Sequence, residues 1–362
     1  MDETSSESMS ESSGEQPKPQ PDRPPRRQRY AGKNPRNFSE KYKELRSEEY
    51  PAEIVKIVSH GRTPAGTHRP IMVDEIMLAL RLVPGSIVAD CTLAYGGHST
   101  VMLKAIQPNG RLIAMDHDPY ELAKTELRLR SCGYPDESLV IRRMNFAGAA
   151  QLIAAESPGG VDAILVDLGV SSMQLDDPDR GFSYKLDGPL DMRMNQMRGR
   201  SASQLLSTWS AIQLATILTD NADEPNAKLI AAAIVLAHSK QPLVTTFALA
   251  AVVRCVQHLE STGGYESAIR RVFQAIRIEV NQEFESLDTF LSQLPSCLRP
   301  GGRVAILSFH SGEDRRVKLC FKQGLQQGVF ASVSKDFQTP THGEVWNNSR
   351  ARSAKLRVAV RV

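Results

Sequence analysis

Ser86-Ile87-Val88-Ala89-Asp90-Cys91 is a short apolar run that reads as a buried strand. Leu93-Ala94-Tyr95-Gly96-Gly97-His98-Ser99 follows as a glycine loop, opening a helix from Ser99 to about Ile106 that stops at Pro108-Asn109-Gly110. Arg111-Leu112-Ile113-Ala114-Met115-Asp116 is then a second strand, ending in a carboxylate. Strand, glycine loop, helix and acid-tipped strand is the arrangement that receives a nucleoside at the carboxyl edge of an open α/β sheet. Gly96 and Gly97 lack Cβ atoms, so the backbone can turn sharply and come close to a ligand. Asp116 stands where a carboxylate accepts both ribose hydroxyls, and Asp118 reads as the cap of the next helix. Ala94 and Ser99 fill two glycine slots of the dinucleotide fingerprint, which favours a nucleoside cofactor without a pyrophosphate.

Outward from this core the alternation continues. Ile71 to Leu82 has helical periodicity and stops at Pro84-Gly85, and Pro119 to Ser131 is a further helix. Val140-Ile141-Arg142 and Asp162 to Asp167 are strands, so a parallel sheet covered on both faces is expected. From about Gln174 the pattern breaks into a loop rich in Asp, Gly and Pro. Helical text follows over Ala202–Thr219, Asn226–His238, Thr246–Leu259 and Ala275–Leu294. Alternation resumes at Pro300-Gly301-Gly302-Arg303 and the strand Val304 to Ser308. The division expected is a tail over 1–50, a first α/β part over 51–175, an inserted loop and helical domain over 176–295, and the last strands over 296–362.

Composition narrows the classes. Lys and Arg total 44 against 41 Asp and Glu, so the net charge of +3 names no partner and any nucleic-acid surface must be a local patch. Five scattered cysteines without C-x-x-C exclude a disulfide scaffold and a zinc ribbon. The longest apolar run, about Ile230 to Ala237, is far short of the roughly 20 residues of a membrane span. The acidic start lacks the apolar segment of a secretory signal, so a cytoplasmic protein is expected. Residues 1–50, acidic and serine-rich, then proline-rich, then arginine-rich, read as a disordered tail that either solubilises the chain or touches RNA.

Three further stretches carry chemistry. Asp167-Leu168-Gly169-Val170-Ser171-Ser172-Met173-Gln174 leaves the fourth strand, and Arg180 to Met194 extends it into a long loop of the kind that is usually functional. Ser308-Phe309-His310-Ser311-Gly312-Glu313-Asp314-Arg315 leaves the fifth strand toward the same rim, with no standard metal-ligand spacing. His98 reads either as a polar residue satisfied by backbone or as a cofactor contact. Asn145-Phe146 is a turn whose ring falls where an adenine could lie. Near the C-terminus Arg350, Arg352, Lys355 and Arg357 beside Trp346 suit phosphate contacts, or a solvated strand face.

Together these strings resemble the RsmH (MraW) family, over His68 to Arg357. They are DLGVSSMQLD (Asp167 to Asp176), RGFSY (Arg180 to Tyr184), DGPLDMRMN (Asp187 to Asn195), FQAIRIEVN (Phe273 to Asn281), PGGRVAILSFHS (Pro300 to Ser311) and RARSAKLRV (Arg350 to Val358). The resemblance implies a class I, Rossmann-like domain that uses S-adenosyl-L-methionine, with an inserted helical domain. It implies N4-methylation of a decoding-region cytidine in 16S rRNA, with the small ribosomal subunit as partner and no membrane. The sequence leaves the oligomeric state open, a homodimer being one option. Cofactor contacts carried over fall on Gly96, Gly97, His98, Asp116, Phe146, Asp167 and Gln174. Departures are Ala94 for a glycine, Gly312 for the leucine of F-H-S-L-E-D-R, the stretch Asp223-Glu224-Pro225-Asn226 for G-E-E-R-F, the lost H-P-A before Phe273, and His238 for an arginine.

On that reading no metal is needed, because the methyl arrives already electrophilic. Asp191 is the leading candidate to accept an N4 hydrogen, with His310 second. Arg180, Phe182, Tyr184, Arg193, Arg350, Arg352, Lys355 and Arg357 are the candidate RNA contacts, and Phe182, Tyr184 or Phe309 could stack on an extruded base. The rival classes are a non-catalytic RNA-binding assembly factor on the same scaffold and, less favoured by the glycine pattern, an NAD-type oxidoreductase.

Overall fold

The structure, a computed structural model, describes residues 70–256 and 264–362, so the expected tail lies outside the described residues. Helix α1 (Val73–Leu80) leads into strand β1 (Ile87–Asp90), α2 (Gly97–Ala105) and β2 (Arg111–Asp116). Then come α3 (Pro119–Arg130), β3 (Leu139–Arg143), α4 (Ala149–Glu156) and β4 (Val161–Asp167). The β1–β2 ladder is parallel from Ile87 opposite Arg111 to Asp90 opposite Ala114, and β4 pairs with β1 on its other side. Asp118 caps α3 as its position predicts, accepting the Tyr120 N–H at 2.9 Å with Pro119 in the first turn.

After β4 a short helix α5 (Ser172–Asp176) begins the long loop, and the insertion follows as α6 (Ala202–Leu206), α7 (Ala211–Ala222), α8 (Ala227–Lys240), α9 (Thr246–Arg254) and α10 (Gly264–Asn281). These helices share one apolar core with Phe182, Leu190 and Met192 of the loop. The helix expected over 275–294 is two helices. Gln282 takes a left-handed conformation (φ 50°) that ends α10 and starts α11 (Glu283–Cys297). Leu287, Phe290, Leu291 and Leu294 of α11 pack with Ile164, Val166 and Ile306 of the sheet, not with the insertion core. Packing therefore splits the stretch 176–295. Its last helix is the crossover that parallel strands β4 and β5 (Leu298–Ser308) require.

Beyond β5 lie α12 (Ser311–Gln326), β6 (Phe330–Val333), α13 (His342–Asn347) and β7 (Lys355–Arg361). The sheet order is β3-β2-β1-β4-β5-β7-β6, with β7 antiparallel to both neighbours. Sequence periodicity does not show β6, whose four residues include two exposed ones, Ala331 and Ser332. All five cysteines are unpaired, and no helix among the described residues is long and apolar enough to cross a membrane. Strands β1, β2, β4 and β5 end at one rim, where the loops quoted above meet.

Phe290 is 1% exposed, and its ring meets Phe146 edge-on with centroids 5.9 Å apart, so it links α11 to the rim. Phe290→Ala should cost about 3 to 5 kcal/mol in urea unfolding. A loss under about 1 kcal/mol would place α11 outside the core.

Candidate active site

A cavity of about 410 Å³ opens at the rim, within the range of small-molecule sites. Gly97, His98, Asp116, Phe146, Asp167, Gln174, His310 and Glu313 are among the residues that line it. Gly96 is not in the wall. It holds φ 65°, and a Cβ there would stand 2.9 Å from Thr125 Cγ2, so its glycine serves the turn and the packing of α3. Gly97 is in the wall, but its missing Cβ makes room for Pro70, 3.0 Å away. The sharp turn expected of this loop is thus at Gly96, and Gly97 alone of the two glycines lines the cavity.

Asp116 fixes the loop. Its Oδ2 accepts the Ala94 N–H at 2.7 Å and its Oδ1 accepts the Asp118 N–H at 2.8 Å. Ala94 sits at φ 42°, a left-handed conformation that explains why a glycine is usual there in the family that the chain resembles. Burial pushes the Asp116 carboxyl up to about 6, against the two backbone bonds that favour its ionised form. Phe146 follows Asn145, whose side chain caps the turn through the Ala147 N–H at 2.9 Å and reaches Ser286 at 3.0 Å.

Asp167 ends β4. Its Oδ2 lies 3.7 Å from His98 Nδ1, while its buried Oδ1 has no hydrogen-bond partner among the described residues. Burial raises this carboxyl to about 6 as well. His98 donates Nε2–H to the Ile71 carbonyl at 2.9 Å, so the backbone satisfies it even as it lines the cavity. Gln174 completes a capping box with Ser171 and donates to Asp118 Oδ2 at 2.7 Å, so both ends of its amide are held.

His310 starts α12 through a second capping box. Its Nδ1 accepts the Glu313 N–H at 3.4 Å, which leaves the hydrogen of a neutral ring on Nε2, 3.2 Å from Glu313 Oε1. Burial alone would raise Glu313, but His310, the Phe309 N–H and Arg277 outweigh it and hold the carboxyl below its usual range. Gly312 is accommodated because Phe284 fills its place: an added Cβ would meet Phe284 Cζ at 2.6 Å. That ring tilts against His310 at 5.8 Å and carries the Arg316 guanidinium 3.6 Å above it.

Of the string FQAIRIEVN, to which the sequence assigns no role, Gln274, Arg277 and Asn281 line the cavity. Arg277 grips Glu283 with two bonds of 2.9 Å, and Asn281 ties the loop to α10 through the Met194 N–H and the Met192 carbonyl, both at 2.7 Å. Glu283, His310 and Glu313 offer ligand atoms within 4.8 Å of one another, but Arg277 already answers the charge of Glu283.

Several expected site residues lie elsewhere. Asp191 is not in the cavity wall; it accepts from Arg193 Nε at 2.8 Å and Nη2 at 2.7 Å, which pins the loop. Arg180 is buried, paired with Asp118 at 2.9 Å and bonded to the Met194 carbonyl at 2.7 Å. Phe182 is core, and the half-buried Tyr184 packs edge-on against Phe273. Arg350 reaches the wall but pairs with Asp176 at 2.5 Å, while Arg357 is buried in a bidentate pair with Asp314 and Lys355 lies over Phe337. Arg352 alone of this set is exposed with no ion pair among the described residues.

The residues present fit S-adenosyl-L-methionine: a half-buried carboxylate at the end of β2 and a ring after β3 stand in one cavity wall. Fold and site define a class I, Rossmann-like methyltransferase that uses this cofactor. The MraW methylase family matches residues 65–362. Ribosomal RNA small subunit methyltransferase H 2 of Alkaliphilus metalliredigens is 46% identical over 341 residues, covering 93% of this chain and 97% of that one. Methyltransferase H 1 of Lachnoclostridium phytofermentans is 44% identical, covering 93% of each chain. The counterpart from Nitrosospira multiformis is 38% identical over 317 residues, 82% of this chain and 98% of that one. The chain belongs to the MraW methylase family.

Two outcomes follow from this geometry. If ribose hydroxyls donate to an ionised Asp116, cofactor affinity rises as pH rises through about 6. The sign for stability is opposite: a raised native pKa stabilises the free protein below the unfolded value near 4 and is lost as pH climbs through about 6. Calorimetry across pH 5 to 8 checks the first, with Asp116→Asn expected to flatten the dependence; a wild-type affinity indifferent to pH removes the assignment. Asp191→Asn should lower stability by about 1.5 to 3 kcal/mol and raise KM for the acceptor, leaving the saturated single-turnover rate near wild type. A large fall in that rate would return Asp191 to the chemistry.

Proposed function

We propose that the protein methylates the exocyclic N4 of a decoding-region cytidine in 16S rRNA of the small ribosomal subunit. The names of its relatives and the strings it shares with its family support the substrate. The observation that carries the chemistry is the orphaned Asp167 Oδ1 in the cavity wall. When bound, S-adenosyl-L-methionine supplies a methyl on a sulfonium, already electrophilic.

The chain's residues do the rest. Asp116 would accept the ribose hydroxyls, and Phe146 would lie beside the adenine. Asp167 Oδ1 accepts an N4 hydrogen of the cytosine, which localises the nitrogen lone pair for attack. Once methylated, the nitrogen would carry a positive charge, and Asp167 would take up its proton. His310 is poorly placed as a base because its capping box occupies the Nδ1 lone pair and its Nε2 stands 3.2 Å from Glu313 Oε1. Phe309, in the wall, is the stacking surface that Phe182 and Tyr184 do not provide.

Asp167 must be ionised to act, so the single-turnover rate at saturating ligands should rise with pH to a plateau above about 6. Asp167→Asn should lower that rate about a hundredfold or more and abolish the acid limb. Mass spectrometry of 16S rRNA from cells carrying each form reads the product. N4-methylcytidine at wild-type level with Asp167→Asn, or a methyl on another atom, would overturn the proposal.

A further inference from the structure

Most cations that the sequence offers for RNA are spent inside the protein: Arg180 on Asp118, Arg193 on Asp191, Arg350 on Asp176 and Arg357 on Asp314. A different group at the cavity mouth is unspent. Arg143 ends β3 directly opposite Asp116 in the parallel ladder, which puts it on the rim. Its neighbour Arg142 is bound to Glu156 at 3.1 Å, whereas Arg143 is exposed with no side-chain partner among the described residues. Arg198 and Arg200, on the loop before α6, are likewise exposed and unpaired among the described residues, and with only Gly199 between them their Cα atoms are no more than about 7 Å apart.

His117 joins the two groups. It lines the cavity next to Asp116, and burial lowers its pKa, with the charges of Arg198 and Arg143 acting in the same direction against Asp118. Both guanidinium groups thus bear on one ring at the cavity edge from separate elements. The loop is braced internally by Arg193 Nη1 on the Gly199 carbonyl at 3.1 Å, and Gln196 donates to the Asp179 carbonyl at 3.2 Å, next to Arg180, which pairs with the wall residue Asp118. Met197 and Tyr120, 68% and 51% exposed, add apolar and aromatic surface in the same loop and at the start of α3.

We propose that Arg143, Arg198 and Arg200 form a phosphate-binding rim that carries the RNA backbone past the mouth of the cavity. The inference rests on the RNA substrate proposed above and names the surface that binds it. Guanidinium groups suit phosphate because they present several donors in a plane and stay charged. Unpaired ones cost no internal ion pair when RNA arrives. Each phosphate neutralised releases counterions, so each contact adds about 0.7 to 0.9 to the log–log salt slope of binding.

The test is fluorescence-anisotropy binding of a labelled decoding-region hairpin transcript over a salt series, using the full chain with S-adenosyl-L-methionine present. Arg143→Gln, Arg198→Gln and Arg200→Gln together should reduce the slope by about 2 to 3. The control replaces Lys318, Lys322 and Lys335, exposed beside the opposite, β6 edge of the sheet, with Gln and should leave the slope unchanged. Melting temperature and calorimetric cofactor affinity of the triple variant should match wild type, which excludes a folding defect. An unaltered slope in the arginine variant, or equal losses in both sets, overturns the rim. Failure of the wild-type protein to bind the transcript overturns the substrate reading itself.

Discussion

Asp116 and Asp118 tie the sheet to everything built upon it. Asp116 takes the N–H groups of Ala94 and Asp118, which fixes the loop after β1 against the end of β2. Asp118 then caps α3 and accepts from both Gln174 and Arg180. Arg180 passes the connection to the carbonyls of Arg193 and Met194, and Asn281 clamps the same stretch to α10. A continuous run of hydrogen bonds, charge-assisted from Asp116 through Arg180 and neutral at Asn281, thus joins cofactor loop, rim loop and insertion. Each member is buried or half-buried, so loss of one leaves its partners with unanswered polar groups. The cavity keeps its shape because these bonds hold the two domains at its edges.

Strand-by-strand reading recovers β1 to β4 and the Val304–Ser308 part of β5, because burial on both faces demands short apolar runs. The turn expected at 300–303 is instead part of β5, which begins at Leu298 and shifts register against β4 there. The same reading places Asp116, Phe146, Asp167, Gln174 and His310 on one cavity, since all leave the carboxyl ends of strands. The break at Gln282 escapes it. The apolar periodicity of α10 runs into that of α11, and only the left-handed Gln282 separates a helix of the insertion from a helix of the sheet. Strand β6 escapes because two of its four residues face solvent.

The roles of charged residues were the least legible. An arginine that salt-bridges a carboxylate 62 positions away, as Arg180 does with Asp118, looks in sequence like one that meets phosphate. Asp191 has the loop position of a catalytic acid, yet Arg193 two residues on takes both its oxygens. The decisive property is whether a buried polar atom has a partner, and that is set by three-dimensional packing alone. By that criterion Asp167 Oδ1 and His310 Nε2 stand out in the cavity wall, and Gly312 becomes intelligible as the counterpart of Phe284.

The account's central claim is that one cavity holds the adenosyl group on Asp116 and the acceptor amine on Asp167. A crystal structure with S-adenosylhomocysteine and cytidine 5′-monophosphate bound tests it most directly. The account predicts both ribose hydroxyls on Asp116 and the cytosine N4 about 3 Å from Asp167 Oδ1, on the line extended from the cofactor sulfur. A nucleoside seated among the helices of the insertion, with Asp167 Oδ1 still lacking a partner, would contradict it.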